Sequence, residues 1–133
     1  MKIGKVSEPV LKRSVLKYLK PNNEFECKGA AVGADCALFS DKNSKNELQD
    51  RRLAIATASV SGEKSPRVAA HAILRATNNL AAAGAEAFAV QLHIMLPERY
   101  REIALKRIME AAADTAQALN VTISGGHTET LPD

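Results

Sequence analysis

The stretch with the richest chemistry lies near the end of the 133-residue chain, where residues 125–129 read Gly-Gly-His-Thr-Glu. Gly125 and Gly126 follow a predicted strand, and such glycines let backbone amides approach phosphate oxygens. Thr128 offers a hydroxyl to phosphate or to metal-bound water, and Glu129 offers the carboxylate oxygens that Mg²⁺ prefers. No lysine follows, so this is not a Walker loop. The stretch predicts a turn that binds phosphate and magnesium.

His127 stands inside this stretch and is a candidate base. A histidine without an identified acid partner is more often a structural hydrogen-bonding group, so both interpretations stay open. His71 and His93 fall on a predicted helix and a predicted strand, again without an acid partner that the sequence identifies. The sequence gives no basis for a Ser-His-Asp or Cys-His arrangement.

A second candidate is the segment Val-Gly-Ala-Asp-Cys-Ala at residues 32–37. Gly33 permits backbone conformations that other residues resist, and this would let Asp35 bring a carboxylate to a bound metal. The alternative is a plain turn in which aspartate is simply a good turn former.

A third candidate is the segment 76–85, which places Asn78 and Asn79 inside an alanine-rich helix. Asparagine is unfavourable within a helix, and a buried amide needs hydrogen-bond partners. The pair is therefore either structural or in contact with a ligand, and the small residues that follow suit the close approach of another backbone.

The elements that must position these candidates follow from the hydrophobic pattern and from the capping residues. Helices are predicted over 7–19, over 67–83 with Ser65 as the cap and Gly84 as the terminator, and from Pro97 to 119. Extended segments are predicted over 30–39, 53–60, 85–96 and 120–124, with a polar surface loop at 40–52. This order predicts an α+β, ferredoxin-like sandwich with a mixed four-stranded sheet and helices on one face.

Composition narrows the class of protein. The net charge of +3 is spread along the chain, which favours a solvated surface over nucleic-acid binding. An RNA-binding ferredoxin-like module is the weakest alternative, because the chain has few aromatic residues to stack on bases. Cys27 and Cys36 are predicted to be reduced thiols in a cytoplasmic protein. No apolar run is long enough to span a membrane. One domain over 1–133 is expected.

The motifs in this order resemble the N-terminal domain of the aminoimidazole ribonucleotide (AIR) synthase superfamily, also called PurM-like. That group includes selenophosphate synthetase, thiamine-monophosphate kinase and the hydrogenase maturation protein HypE, and the chain is most similar to the HypE-like, AIR synthase-related branch. The resemblance covers essentially the whole chain. It is carried by "VGADCALF", "LAIATASVSG", "AAHAILRATNNLAAAGAEAFAVQLHIMLP" and "NVTISGGHTET".

The resemblance implies binding of ATP with Mg²⁺ and phosphoryl transfer or activation, in a homodimer whose sheets join across the interface. A second α/β domain normally completes the active site. We expect it to be absent here and, if present at all, to be supplied by a separate chain. Nucleotide-binding residues are implied at Gly33, Asp35, Asn78, Asn79, Gly125, Gly126 and Thr128, and metal ligands at Asp35 and Glu129.

Several acidic residues of the family pattern are replaced in this chain, and their loss should weaken the binding of Mg²⁺. The family aspartates of the T-T-D-P and N-D-I-A motifs are replaced by Ser59 and Asn79, and Ala34 stands where relatives often carry an acid. Neutral oxygens should hold Mg²⁺ far more weakly than carboxylates.

Two interpretations of the function stay open. One is an ATP-binding-type domain with weakened Mg-ATP binding and no turnover by itself. The other is a degenerate, non-catalytic dimerisation scaffold or regulator. The lost aspartates favour a natural single-domain relative.

Overall fold

The computed structural model describes residues 5–20, 25–41, 52–62 and 64–132. The chain divides into two compact units, residues 1–56 and 57–133. Together they contain three α-helices and two sheets among the described residues. The predicted α+β class is confirmed. The predicted single four-stranded sheet is not, because the described strands form one three-stranded sheet and one two-stranded sheet.

The first unit carries a short helix and an antiparallel sheet. Helix α1 spans Glu8–Ser14 and is followed by a 3-10 turn over Leu16–Tyr18. The sheet has the order β1-β2-β3, with β1 at Phe25–Lys28, β2 at Ala37–Asp41 and β3 at Leu53–Ile55.

Three sequence predictions for this unit need correction. The helix predicted over 7–19 is broken at Val15, whose φ of −128° leaves the helical region. The extended segment predicted over 30–39 becomes a strand only at Ala37, because a turn over residues 31–33 precedes it. The strand predicted over 53–60 ends at Ile55. Its pairing with β2 ends there, since Ile55 is the partner of Ala37, the first residue of β2.

The second unit is a helix followed by a β-α-β arrangement. Helix α2 spans Val68–Ala82, strand β4 Ala89–Pro97, helix α3 Glu102–Ala118 and strand β5 Thr122–Leu131. Strands β4 and β5 are parallel neighbours, as is usual for strands joined by a crossover helix.

The helix predicted over 67–83 is confirmed within one residue at each end. The prediction that Ser65 is its cap is wrong, because the N-cap is Arg67, which makes no side-chain capping bond. Ser65 instead shapes the turn before the helix, where its Oγ accepts a hydrogen bond from the Arg67 N–H at 3.1 Å and its carbonyl accepts one from the Val68 N–H. Gly84 ends the helix with a φ of 75°, a backbone conformation that favours glycine.

The core of the second unit lies between α2 and α3 and under one face of the sheet. The buried residues are small or aliphatic, and they are Ala69, Ala70, Ile73, Ile108, Ala112, Ala116 and Val121. Val90, Leu92, Leu96 and Ile123 of the sheet pack against this cluster. Alanines at the contact let the helix axes approach closely, which suits a chain with few aromatic residues.

The predicted start of α3 is wrong. Pro97 is the last residue of β4, where it is the register partner of Leu131. The Glu98 N–H donates to the Leu131 carbonyl at 2.9 Å, and the Tyr100 N–H donates to the Pro97 carbonyl at 3.0 Å. These bonds hold the chain in a turn, so the helix begins only at Glu102.

Strand β5 is twice as long as predicted. It runs for 10 residues from Thr122 to Leu131, whereas a strand over 120–124 was expected. The difference comes from Gly125 and Gly126, because glycine within a strand usually weakens or interrupts it. No helix in the described part of the chain combines the length and the apolar character needed to cross a membrane.

Candidate functional site

The candidate site lies on the face of the β4–β5 sheet that points away from the core cluster. Side chains alternate between the two faces of a strand. Leu92 and Leu96 of β4 pack against the helical core, so His93 and Met95 point to the opposite face, where both are exposed. We call this second face the open face.

A β-bulge decides which residues of β5 share the open face. Ile123 is the register partner of Val90, but the next pair is Gln91 with Gly125, so Ser124 is an extra residue on β5. The Ser124 Oγ donates a hydrogen bond to the Val90 carbonyl at 3.1 Å. Because a one-residue shift exchanges the faces of a strand, the bulge turns His127 toward the open face.

Position 126 requires glycine because the backbone there lies close to the backbone of strand β4. Gly126 is the register partner of Leu92, and a Cβ atom at this position would overlap the Leu92 backbone carbonyl. Its φ of 151° is also a conformation that favours glycine. This glycine is therefore explained by packing within the sheet, whether or not it also contacts a ligand.

The predicted phosphate-binding turn is wrong as local structure. Residues 125–129 lie inside β5 and are paired with residues 91–95 of β4. Their backbone belongs to a ladder and is not a free turn that could wrap around phosphate. Nucleotide contacts by Gly125, Gly126 and Thr128 stay a prediction.

Three metal-ligating side chains meet on the open face. His93 and His127 are register partners on adjacent strands, and Glu129 lies two residues further along β5. The Glu129 carboxylate lies 3.5 Å from the His93 Nε2 and 3.5 Å from the His127 Nε2. The two imidazole rings meet edge to face, with centroids 5.4 Å apart. One ligand atom from each residue can be chosen so that all three lie within 4.8 Å of one another.

The sequence pointed to Glu129 and left the role of His127 open, but it did not connect either residue with His93. The alternation of β4 places His93 on the polar face, and that signal was visible. The register of the two parallel strands and the bulge at Ser124 were not visible, and they bring the three side chains together.

Helix α2 carries the predicted asparagine pair in its last turns. Asn78 is exposed and Asn79 is half-buried. Ser59, which precedes the helix in the same unit, is also exposed, and its carbonyl accepts a hydrogen bond from Arg75 Nη1 at 2.9 Å. A guanidinium therefore lies beside the backbone of Ser59, the residue that the resemblance matches to a superfamily aspartate.

The remaining predicted residues, Gly33 and Asp35, lie in the first unit, in the irregular segment before β2. Gly33 has a φ of 80°, as expected for a glycine that gives the backbone an unusual course. Asp35 is exposed. Cys27 and Cys36 are both free thiols, as predicted.

The chain matches the profile of a known protein family. The profile of the family described as AIR synthase related protein, N-terminal domain, matches residues 33–133. A comparison with functionally characterised proteins gave no significant match. The matched segment covers about three quarters of the chain and includes every predicted site residue. The chain therefore belongs to the family of AIR synthase related proteins, of which it contains the N-terminal domain.

Proposed function

We propose that the chain is an ATP-binding-type domain of a HypE-like, AIR synthase-related protein, with weakened Mg-ATP binding and no turnover by itself. Family membership supports the nucleotide as the ligand class. The two free thiols fit a reducing compartment and hence a cytoplasmic location.

The observation that carries the proposal is the charge around Ser59. Mg²⁺ binds best to anionic oxygens, and in phosphoryl transfer it needs carboxylates that anchor it to the nucleotide. Ser59 and Asn79 offer only neutral oxygens. The Arg75 guanidinium, hydrogen-bonded to the Ser59 carbonyl, adds a positive charge that disfavours a divalent cation nearby. Ser59 and Asn79 therefore fit Mg²⁺ poorly.

We expect the double variant Ser59→Asp, Asn79→Asp to bind Mg-ATP about tenfold more tightly than the wild type, a gain of about 1.4 kcal/mol. The added carboxylates supply anionic ligands and offset the charge of Arg75. Calorimetric titration with ATP, with and without Mg²⁺, measures this. Gln117→Glu, on the exposed surface of α3, adds a carboxylate outside the site and serves as the control. An unchanged affinity in the double variant would mean that the weakness does not come from these two positions.

The second candidate function is a degenerate, non-catalytic dimerisation scaffold. Apolar side chains on and near the sheet support it, because Met95 is 54% exposed, Leu131 40% and Phe88 69%. In the described part of the second unit, β4 and β5 also each have one edge without a strand partner. Exposed apolar side chains beside free strand edges are features of surfaces that pair with another chain.

The sequence suggested a different test of the dimer. It predicted that the strand over 86–96 is well buried and that a charge at Leu92 or Ile94 would dissociate or unfold the protein. In the structure the strand is half-buried on one face only. Leu92 packs against the core of its own unit, so a charge there would destabilise the monomer whether or not a dimer exists.

Met95→Glu is the sharper test of the homodimer. We expect it to convert a dimer to a folded monomer, because a buried carboxylate without a partner is costly at an interface but is solvated in the free chain. Light scattering after size exclusion measures the mass, and circular dichroism checks the fold. Gln117→Glu controls for the added charge. A wild-type monomer, or a Met95→Glu dimer of unchanged affinity, would rule out this interface.

A further inference from the structure

We propose that His93, His127 and Glu129 form a binding site for a divalent transition-metal ion of the Zn²⁺ class on the open face of the sheet. The site requires neither a nucleotide nor a second domain, so it is independent of the function proposed above. It shares only Glu129 with the predicted magnesium ligands, and it assigns that residue to a different ion.

The first argument is geometric. In a tetrahedral zinc site, bonds of about 2.0–2.1 Å place neighbouring ligand atoms about 3.3 Å apart. The Glu129 Oε1 lies 3.5 Å from the His93 Nε2, and the other oxygen, Oε2, lies 3.5 Å from the His127 Nε2. All three groups offer ligand atoms within 4.8 Å of one another. Rotations of these exposed side chains that bring the ligand atoms from within 4.8 Å to about 3.3 Å of one another would complete three coordination bonds.

The second argument is that the backbone fixes the spacing. His127 and Glu129 lie two residues apart on one strand, so their side chains leave the same face. His93 is the register partner of His127, and neighbouring strands lie about 4.8 Å apart. The bulge at Ser124 and the contact at Gly126 hold this register. The ligands therefore come from a paired ladder, which is a more rigid support than a loop.

The third argument concerns the choice of ion. Imidazole nitrogens suit Zn²⁺, Fe²⁺, Co²⁺ and Ni²⁺, whereas Mg²⁺ prefers oxygen ligands. Histidine binds a metal in its neutral form, and with a carboxylate such a ligand set carries a net charge of −1, which attracts a divalent cation. Three protein ligands leave at least one coordination position for water or a small ligand, and the exposure of both histidines gives solvent access to it.

The alternative is a simple ion pair in which protonated histidines contact Glu129. Such exposed pairs contribute little to stability, and the same distances would be observed. The two explanations differ in what happens when a metal is added, because only the metal site predicts saturable binding that depends on all three side chains.

The test is calorimetric titration of the full chain with ZnCl₂, and separately with CoCl₂, without nucleotide. The background carries Cys27→Ser and Cys36→Ser, because thiolates also bind zinc. We expect one ion per chain. His93→Ala, His127→Ala and Glu129→Gln should each weaken binding at least about tenfold, the lower end of the loss seen when only a supporting group is removed. His71→Ala on α2 is the matched control and should bind like the background.

Visible absorption of the Co²⁺ complex adds an independent readout, because its intensity and position change when a nitrogen ligand is lost. Circular dichroism verifies that each variant is folded, which we expect because the three side chains are largely exposed. The absence of saturable binding, equal loss in His71→Ala, or one ion per two chains would overturn the site. Because no nucleotide is present, such a failure would leave the Mg-ATP proposal untouched.

Discussion

Replacing Gly126 with alanine should destabilise the second unit by about 2–6 kcal/mol. A positive φ on a residue with a side chain costs about 1–3 kcal/mol, and overpacking a tight contact costs a further ~1–3 kcal/mol. The obstacle at this position is the Leu92 backbone, which cannot rotate away as a flexible side chain would. Chemical denaturation followed by circular dichroism measures the change in the free energy of unfolding.

Gly125→Ala is the matched control for this prediction. Gly125 also has a positive φ, at 144°, but a Cβ atom there would meet no other atom within 4 Å. It should therefore show the backbone cost without the steric cost, and lose about 1–3 kcal/mol. Equal losses in the two variants would show that the close approach of Gly126 to β4 is not what matters.

Replacing Ile73 with alanine should cost about 2–5 kcal/mol. Its side chain is 1% exposed and packs at the centre of the cluster between α2 and α3. Two members of that cluster, Ala69 and Ala112, have short side chains that cannot move to fill the cavity, so we expect the upper half of that range. Small domains are stable by about 5–15 kcal/mol, and the change would remove a large share of that margin.

Leu74→Ala provides the comparison within the same helix. Leu74 is adjacent in sequence but 39% exposed, so its truncation should cost less than half as much. Thermal and urea unfolding of both variants measure the difference. If the two substitutions were equally destabilising, Ile73 would not occupy the centre of the core.

Regular amphipathic segments were the most predictable part of the fold. Helix α2 was correct within one residue at each end because Ser65, Pro66 and Gly84 mark its limits and its apolar positions repeat with the helical period. The alternating half of β4 was recognisable for the same reason. Family membership was also recognisable from the motif pair in residues 76–85 and 125–129 and is confirmed by the profile match.

The errors occur where pairing between distant segments overrides local preference. Pro97 looks like a helix start, but its pairing with Leu131 makes it the end of a strand. Gly125 and Gly126 look like a turn, but β4 holds them in a ladder. The approach of His93 to Glu129 depends on the same long-range register. No local pattern encodes that register, so the site could be predicted only in part.

The extra residue at Ser124 changes which positions of β5 share a face of the sheet. Before the bulge the odd position Ile123 packs on the core, and after it the odd positions His127 and Glu129 face outward. A relative of the same length that lacked the bulge would pair Ser124 with Gln91, present Thr128 outward and turn both ionisable groups toward its hydrophobic interior. Two family members can therefore share a motif letter for letter and still expose opposite halves of it.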